Sequence, residues 1–328
     1  MKNCTQHNND YVVLKSMPQS SHLYYPKTLC GAPAYIFGGV TEDSDLVFVP
    51  DFTLQPRSMF HKILKFLFVG RLPLPGRLVE LLTGYKGYAW IQSLKLGDRL
   101  LLNGVTNLRT LQAVAWLAPS GVRLYQYFNN SLQFVYPKHK VAVKTAKMKS
   151  MGYHLVTFDP QEALEYGMQY AEQFYRYPSE RSDSINYDFF FCGEKKDRGQ
   201  RLEDLEKKLT QMGFRCLFIV IGRDDKPISY RQYLDYMLQS RCIVDILQQQ
   251  QKGITRRPVE ALFWGKKLLT EHTEIATYDF YRQENILIFK YEQLSKQVIS
   301  SFINQPSVAI PKEVMDKYEV NHWLNYFK

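Results

Sequence analysis

The second half of the chain alternates continuous apolar runs with amphipathic helical patterns, and this feature constrains the fold most. Tyr187–Cys192 and Arg215–Ile221 are apolar runs without polar alternation. Between them, Leu202, Leu205 and Leu209 recur at helical spacing on one face. Strands that are apolar on both faces and are separated by helices are typical of a parallel sheet covered by helices on both sides. Ligands of such sheets bind at the carboxyl ends of the strands.

The first half is less regular but has the same ingredients, so we expect a second α/β domain there. The one clear helical pattern in it is Asn107–Leu117. The predicted strands are Tyr11–Lys15, Ala34–Phe37, Leu46–Val49, Arg99–Leu102 and Val122–Tyr127. The predicted fold class is therefore α/β, with two Rossmann-like domains facing a cleft.

Local signals divide the chain of 328 residues into four parts. Residues 1–158 form an N-terminal α/β domain. Asp159 as N-cap and Pro160 at the first helical position begin a connecting helix, expected to run to Tyr175, and residues 159–185 comprise this helix and a linker. Residues 186–311 form the second, Rossmann-like domain. Residues 312–328 read as a terminal helix that can pack back on the first domain.

The positive charge is concentrated in the first half. Residues 1–158 carry 18 basic and 7 acidic residues, a net charge of +11, whereas residues 159–328 carry 24 and 25, a net charge of −1. Two basic segments, Arg57–Arg77 and Lys138–Lys149, supply much of the excess, and the first interleaves it with large apolar side chains. Two interpretations stand: a core helix with a solvated edge, or a face for an anionic membrane, with Lys62 and Lys65 turned to the lipid.

Several classes of protein are disfavoured. The five cysteines show no CxxC spacing and the seven histidines no metal-ligand spacing, which argues against a disulfide framework and a metal site. The polar start predicts no signal peptide, and no apolar run reaches the roughly 18 residues of a membrane span. No helix-turn-helix, RRM or KH pattern occurs, so nucleic acid is not an expected partner. We expect a cytoplasmic protein, with peripheral attachment to the inner face of the cytoplasmic membrane as an added possibility.

A strand–turn–helix segment at 242–264 carries the best candidate for a binding site. An apolar strand leads into Gly253, and Thr255, Arg256 and Arg257 follow at the start of a helix. Backbone N–H groups at a helix N-terminus attract anions, and the arginines add positive charge. Glu260, one turn later, is placed to accept hydrogen bonds from a ribose hydroxyl. The alternative is an ordinary turn followed by a solvated helix face.

Three stretches resemble the GT-B glycosyltransferases, in particular bacterial enzymes of lipopolysaccharide, capsule and exopolysaccharide assembly. They lie at 155–175, 245–270 and 275–289, and the second contains the pattern GITRRPVEA. The resemblance implies that the second domain binds a nucleotide-sugar donor and the first binds a saccharide or lipid-linked acceptor. Gly253, Thr255, Arg256, Arg257 and Glu260 would then contact the donor.

The resemblance also places Gly193, with Lys195, Lys196 and Arg198 after it, and Arg223 on the same edge of the cleft. A loop of this composition is otherwise typical of a mobile, solvated segment. Asp51, after the apolar run at 46–49, is the best-placed candidate for a catalytic base, although a retaining mechanism is also open.

Arginines at the diphosphate would make a metal ion unnecessary, and no cofactor beyond the donor is expected. The closest match to a metal-binding Asp-x-Asp motif, Asp43-Ser44-Asp45, lies outside any strand-end context. The alternatives are another GT-B-like transferase, a nucleotide-sugar epimerase, or a basic nucleic-acid-binding protein.

Overall fold

Two parallel β-sheets organise the molecule, one of six strands and one of five. The structure is a computed structural model that describes residues 21–26, 31–41, 44–49, 51–53, 58–179, 184–248 and 252–328. The expected strand Tyr11–Lys15 lies outside these residues.

The first sheet and its helices span residues 23–170. Its strands are β1 (Leu23–Pro26), β2 (Leu46–Val49), β3 (Arg99–Asn103), β4 (Arg123–Phe128), β5 (Tyr153–Thr157) and β6 (Gln169–Tyr170). Its helices are α1 (Gly31–Phe37), α2 (Met59–Phe68), α3 (Gly76–Thr83), α4 (Tyr88–Ile91), α5 (Leu108–Leu117), α6 (Leu132–Val135), α7 (Lys138–Ser150) and α8 (Pro160–Tyr166). The strands lie in the order β2–β1–β3–β4–β5–β6.

The second sheet begins after the connecting segment. Its strands are β7 (Tyr187–Glu194), β8 (Cys216–Ile221), β9 (Ser240–Asp245), β10 (Lys267–Thr270) and β11 (Ile286–Ile288), in the order β8–β7–β9–β10–β11. The helices that follow the strands are α9 (Gly199–Gln211), α10 (Tyr230–Leu238), α11 (Arg256–Trp264) and α12 (Lys296–Asn304). Short 3₁₀ helices cover Lys196–Arg198, Thr273–Thr277 and Tyr291–Gln293. The chain ends in α13 (Lys312–Asp316), α14 (Val320–Trp323) and a 3₁₀ turn at Leu324–Phe327.

Both sheets have the same doubly wound order. In each, the second strand lies outside the first, and the third, fourth and later strands continue on the other side. The connections therefore reverse direction between β1 and β3 in the first sheet, and between β7 and β9 in the second. A crevice opens at such a switch point, outside the carboxyl ends of the two strands. The predicted fold class, two Rossmann-like domains facing a cleft, is confirmed.

Local predictions succeeded where capping or a long periodic pattern fixed the element. The helix expected at 107–117 is α5, which the Asn107 side chain caps. Ser229 with Gln232 forms a capping box at the start of α10. Ala34–Phe37 was wrong as a strand, because these residues belong to helix α1. A short apolar run has no periodicity that separates the two structures. The helix begun by Asp159 ends at Tyr166 rather than Tyr175, because Gly167 adopts a left-handed conformation and caps it.

One apolar core joins the two domains. It contains Tyr127 and Val156 from the first sheet together with Phe190 and Ile243 from the second. The end of the chain returns to the first domain, where the Trp323 ring stacks on Phe174 at 3.9 Å between ring centroids. The shared core holds the carboxyl ends of the two sheets toward each other. Within the described residues, no helix has the length and apolar character needed to cross a bilayer.

Candidate functional site

Two arginines meet at the switch point of the second sheet. The guanidinium groups of Arg198 and Arg257 lie 5.2 and 4.7 Å from the centre of the Phe191 ring, at the carboxyl end of β7. A Cβ atom at Gly193 would lie 2.4 Å from Nη2 of Arg257 and 3.1 Å from Nη2 of Arg198. A larger residue at this position would have to displace the ends of the arginine side chains. Burial, with the Arg257 charge as the next cause, lowers the pKa of Arg198 to about 10.

Arg257 is fixed by its own helix and by the neighbouring strand. Its Nη2 donates to the Cys192 carbonyl at 2.8 Å, and Nη1 lies 3.4 Å from Oδ1 of Asp245. Thr255 caps α11, accepts from the Arg257 N–H and donates its hydroxyl to the same Asp245 carboxylate at 2.9 Å. These hydrogen bonds hold the first turn of α11 against the end of β9, so this turn is rigid before any ligand arrives.

Arg256 points the other way. Consecutive helical positions differ by about 100°, so Arg257 turns to β9 while Arg256 turns to the first domain. Its charge lowers the pKa values of Tyr25 and Tyr127, both on the first sheet, although burial raises them more. The side chain is half-buried, and no described residue accepts a hydrogen bond or forms an ion pair with it. Arg256 is thus a cation between the two domains, and no anion among the described residues pairs with it.

The facing edge of the first sheet carries polar side chains at three strand ends. The Asn103 amide donates to the Tyr25 hydroxyl at 2.6 Å. Asn103 pairs in register with Tyr127 on the next strand. Among the described residues, no hydrogen-bond partner reaches the buried Oδ1 of Asn103 or the buried hydroxyl of Tyr127. Buried polar atoms are nearly always satisfied, and an exception at a strand edge indicates a place for a ligand or water.

Asp51, the proposed base, follows β2 on this same edge. Its Oδ1 accepts from the Thr53 N–H at 2.9 Å and from the Thr53 hydroxyl at 2.6 Å. Burial is the main cause that raises the pKa of Tyr25 to about 12. The hydrogen bond from Asn103 opposes this shift, and the Asp51 charge adds to it. The charges of Asp51 and Arg256 both act on Tyr25, so the structure brings these two predicted site residues to one end of the cleft.

Gly253 lies at the contact between the domains. Its N–H donates to Oδ2 of Asp159 at 3.0 Å, and a Cβ atom here would lie 2.9 Å from the Phe158 ring. The turn does present an N–H to a negative group, as its sequence predicts, but that group is a carboxylate of the protein. Asp159 thus joins two elements, because it also caps α8.

Glu260 lies inside the protein and is engaged by tyrosines. Its Oε2 accepts from the Tyr233 hydroxyl at 2.5 Å, and its Oε1 accepts from Tyr230 at 3.3 Å. The Tyr230 hydroxyl continues the network to Tyr175 at 2.7 Å. Burial is the first cause that raises the pKa values of these tyrosines, and the Glu260 charge is the second. The carboxylate joins α11 to α10 and to the connecting segment.

The remaining predicted residues are dispersed. Arg223 follows edge strand β8 and is exposed. Lys195 pairs with Glu203 at 3.1 Å on the surface, and the Lys196 ammonium lies 5.9 Å from the Phe134 ring of the first domain. Arg198 is buried, so a mobile solvated loop was the wrong interpretation for it: its Nη1 donates to the Ile246 carbonyl at 2.6 Å.

Sequence reasoning missed Tyr25, Asn103 and Tyr127. A signal was present, since Asn103 ends an apolar strand and is followed by Gly104, and polar residues at the carboxyl ends of parallel strands share one edge. In the Asp43–Asp45 motif, Asp43 lies outside the described residues and Asp45 pairs with buried Arg99. Within the described part of the chain, no three His, Cys, Asp or Glu side chains are grouped to hold a metal ion.

Two cavities lie away from these strand ends. One of about 390 Å³ lies between α11 and the 307–310 segment. The other, of about 630 Å³, lies between α8, the 3₁₀ helix after β10 and the end of the chain, and contains Lys252 and Lys317 beside three carboxylates. Neither is lined by the arginines of the switch point, so the candidate site lies outside both cavities.

Comparison with known proteins gives few matches. No family model matches the chain, and no curated protein matches it in sequence. Among solved structures, the chain is similar to an α-glucosyltransferase in complex with UDP and a 13-mer DNA containing a HMU base. The TM-score is 0.48, the identity is 9%, and the match covers 93% of this chain and 95% of that chain.

Proposed function

We propose that the protein is a glycosyltransferase that moves a sugar from a nucleotide-activated donor to a saccharide or lipid-linked acceptor. The observation that carries the proposal is the half-buried cation of Arg256, which faces the first-sheet edge where Asn103 Oδ1 and the Tyr127 hydroxyl have no partner among the described residues. A sugar diphosphate would supply both missing partners: an anion for Arg256 and sugar hydroxyl groups for the two polar atoms.

The donor diphosphate is assigned to Arg256, with Arg257 and Arg198 behind it. When the glycosidic bond to the diphosphate breaks, negative charge develops on the leaving oxygen. A cation already fixed at that position stabilises the transition state more than the ground state, because it does not have to reorganise. Arg257 and Arg198 are held by carbonyl groups and Asp245, and they add positive potential without becoming mobile.

Asp51 is proposed as the base of an inverting reaction. Its carboxylate takes the proton of the acceptor hydroxyl, the acceptor oxygen bonds to the anomeric carbon, and the bond from that carbon to the diphosphate oxygen breaks. The electron pair leaves with the nucleoside diphosphate, next to Arg256. A retaining course would give the opposite anomer, so the anomeric configuration of the product decides between the two.

Glu260 and Thr255 receive positioning roles. Glu260 holds α11 to α10 through two tyrosine hydroxyls, and Thr255 caps the helix that carries Arg256. A ribose would have to displace a tyrosine to reach Glu260. Gly253 and Gly193 act through close approach, one to the first domain and one to the arginines.

A thermal-shift screen with UDP, GDP, CDP and CMP tests the donor site. A matching nucleotide at about 100 times its Kd should stabilise the folded protein by roughly 2.7 kcal/mol. Arg256→Ala should lose this shift and keep the melting temperature of the unliganded protein. If no nucleotide shifts the wild-type protein at millimolar concentration, the donor assignment is wrong.

Metal independence is a separate part of the proposal. Because arginines supply the positive charge at the diphosphate, transfer should retain most of its rate in excess EDTA. Loss of transfer in EDTA, with recovery on addition of Mn²⁺ or Mg²⁺, would contradict it, and Asp43 and Asp45 would be the first ligands to test.

An epimerase acting on a nucleotide sugar is the competing function, and it needs no acceptor. Nucleotide sugar incubated with the protein alone should remain unchanged for a transferase, apart from slow hydrolysis. Conversion to a second nucleotide sugar would support the epimerase. Release of nucleotide that depends on added glycan or lipid-linked glycan would support a transferase, and the acceptor that works best tests the proposed role in bacterial surface polysaccharide synthesis.

A further inference from the structure

Helix α2 carries its apolar side chains on the outside. Met59 is 71% exposed, Phe60 64% and Phe66 58%, with Ile63 and Leu67 close to half exposed. Leucines of the following segment extend the same kind of surface: Leu72, Leu78 and Leu81. We call these eight residues the α2 surface. Monomeric proteins rarely expose a contiguous apolar patch of this kind unless it binds something.

The buried side of the same helix carries a lysine. Lys65 is only 4% exposed, and no described residue accepts a hydrogen bond from its ammonium group. The expectation that Lys65 would face a membrane was therefore wrong, whereas Lys62 is exposed as expected. In an ordinary core helix the apolar side chains are buried and the lysines exposed, because burial stabilises apolar groups and an unpaired ammonium is costly to bury. Helix α2 has the opposite arrangement.

Basic groups surround the α2 surface. The guanidinium groups of Arg109 and Arg71 lie 4.2 and 5.3 Å from the centre of the Phe66 ring. Arg77, on α3, is exposed beside the leucines. Glu80, the acidic residue of α3, is turned away and accepts from the Gly87 N–H at 2.6 Å. Residues 99–158 add eight basic residues and no acidic one.

We propose that the α2 surface docks on an anionic lipid bilayer, with Phe60, Ile63 and Phe66 in the acyl–headgroup boundary and the arginines at the lipid phosphates. Apolar area together with basic charge is what an anionic bilayer binds. A soluble polyanion would leave the apolar side chains in water. A second copy packed on the same surface would bring the positive charge of both copies into one interface, where like charges repel. The proposal does not depend on the proposed sugar transfer, and its test does not measure transfer.

Vesicle sedimentation of the full chain tests the proposal. Vesicles of phosphatidylcholine mixed with phosphatidylglycerol are compared with phosphatidylcholine alone, at low and near-physiological salt. Ile63→Glu is expected to weaken binding to the anionic vesicles by about ten-fold or more, because it removes apolar burial and adds repulsion at the lipid. Leu164→Glu is the matched control: Leu164 is 86% exposed on α8, outside the α2 surface, and the change in charge is the same.

The control variant is expected to bind like the wild type within about two-fold, because Leu164 is not part of the α2 surface and its replacement removes no apolar side chain from it. Melting temperatures show that both variants fold. Absent binding to anionic vesicles, or equal loss in the two variants, would overturn the proposal. Two further results would also overturn it. If the wild type binds heparin or short DNA, Ile63→Glu leaves that binding intact and anionic vesicles bind no better than neutral ones, the partner is a soluble polyanion. If the wild type is a dimer that Ile63→Glu dissociates, the partner is a second copy of the chain.

Discussion

The two domains share one strand order but treat the polar groups at their switch points differently. In the second sheet, Arg257, Asp245 and Thr255 are bonded to one another, and Arg198 is bonded to backbone carbonyls. In the first sheet, Asn103 Oδ1 and the Tyr127 hydroxyl are buried without a partner among the described residues. The groups bonded in this way at the second edge hold one another in place, whereas two polar atoms of the first edge lack a partner among the described residues.

This difference separates groups that keep the site rigid from groups that can bind a ligand. A charge whose hydrogen bonds are filled fixes the geometry of a site, and its loss is felt in stability. A charge or polar atom without a partner adds nothing to stability and lowers it when it is buried, and its removal affects chiefly the binding of a ligand. Arg256 and Glu260, on the same helix, fall into opposite classes by this criterion. Four substitutions test this difference between the two edges and within the two domains.

The largest effect is expected for Arg256→Ala. Removing one preorganised charge from the leaving group should lower kcat of transfer by about 100- to 1000-fold. The melting temperature should not change, because no described residue bonds to Arg256. Arg123→Ala, in an exposed position at the amino end of β4 and so away from the carboxyl ends of the strands, is the control and should keep wild-type kinetics. Equal kinetics for the two variants would remove Arg256 from the site.

Lys65→Met should raise stability and remove a pH dependence. Burial lowers the pKa of Lys65 from 10.5 to about 8, so between these values the unfolded chain binds more protons than the folded one. Stability of the wild type should therefore rise with pH above about 8. At pH 7 the methionine variant should gain on the order of 1–3 kcal/mol. Urea unfolding of both proteins at pH 7, 8 and 9 measures the difference, and parallel pH curves would contradict it.

Glu260→Ala should lower the free energy of unfolding by about 1–3 kcal/mol, because the Tyr233 and Tyr230 hydroxyls lose their acceptor inside the protein. Glu260→Gln keeps an acceptor oxygen and should cost less. Denaturant unfolding measures both. A different result, in which Glu260→Ala keeps wild-type stability and loses nucleotide binding, would restore the ribose role predicted from the sequence.

Tyr127→Phe should give the smallest effect, and its sign differs between the two measurements. The unliganded variant should be as stable as the wild type or more stable by up to about 1 kcal/mol, since it removes an unsatisfied hydroxyl. Affinity for the stabilising nucleotide sugar should fall by about three- to ten-fold, measured by titration calorimetry. A loss of stability in the unliganded variant would show that the hydroxyl already has a partner.

Much of the fold follows from local pattern. The continuous apolar runs at β7, β8 and β9 predict a buried parallel sheet, and the caps at Asn107, Asp159 and Ser229 set the starts of three helices. Prediction failed where local signals are ambiguous. The run at Ala34–Phe37 fits both a strand and a helix. Helix α2 exposes its apolar side chains, so a pattern that places lysines on the exposed side assigns Lys65 to the wrong side.

Three features of this protein follow from its residues alone: the class of fold, the concentration of positive charge in the first half, and the strand–turn–helix that carries Arg256 and Arg257. Tertiary structure alone decided which arginine faces the cleft, because that depends on how α11 is rotated against β9. It also decided that Gly253 donates to Asp159 and that Glu260 receives tyrosine hydroxyls, since these partners lie 94, 30 and 27 positions away in the chain. Residue type and spacing fix local conformation, whereas the partners of a polar group are fixed only when distant segments pack together.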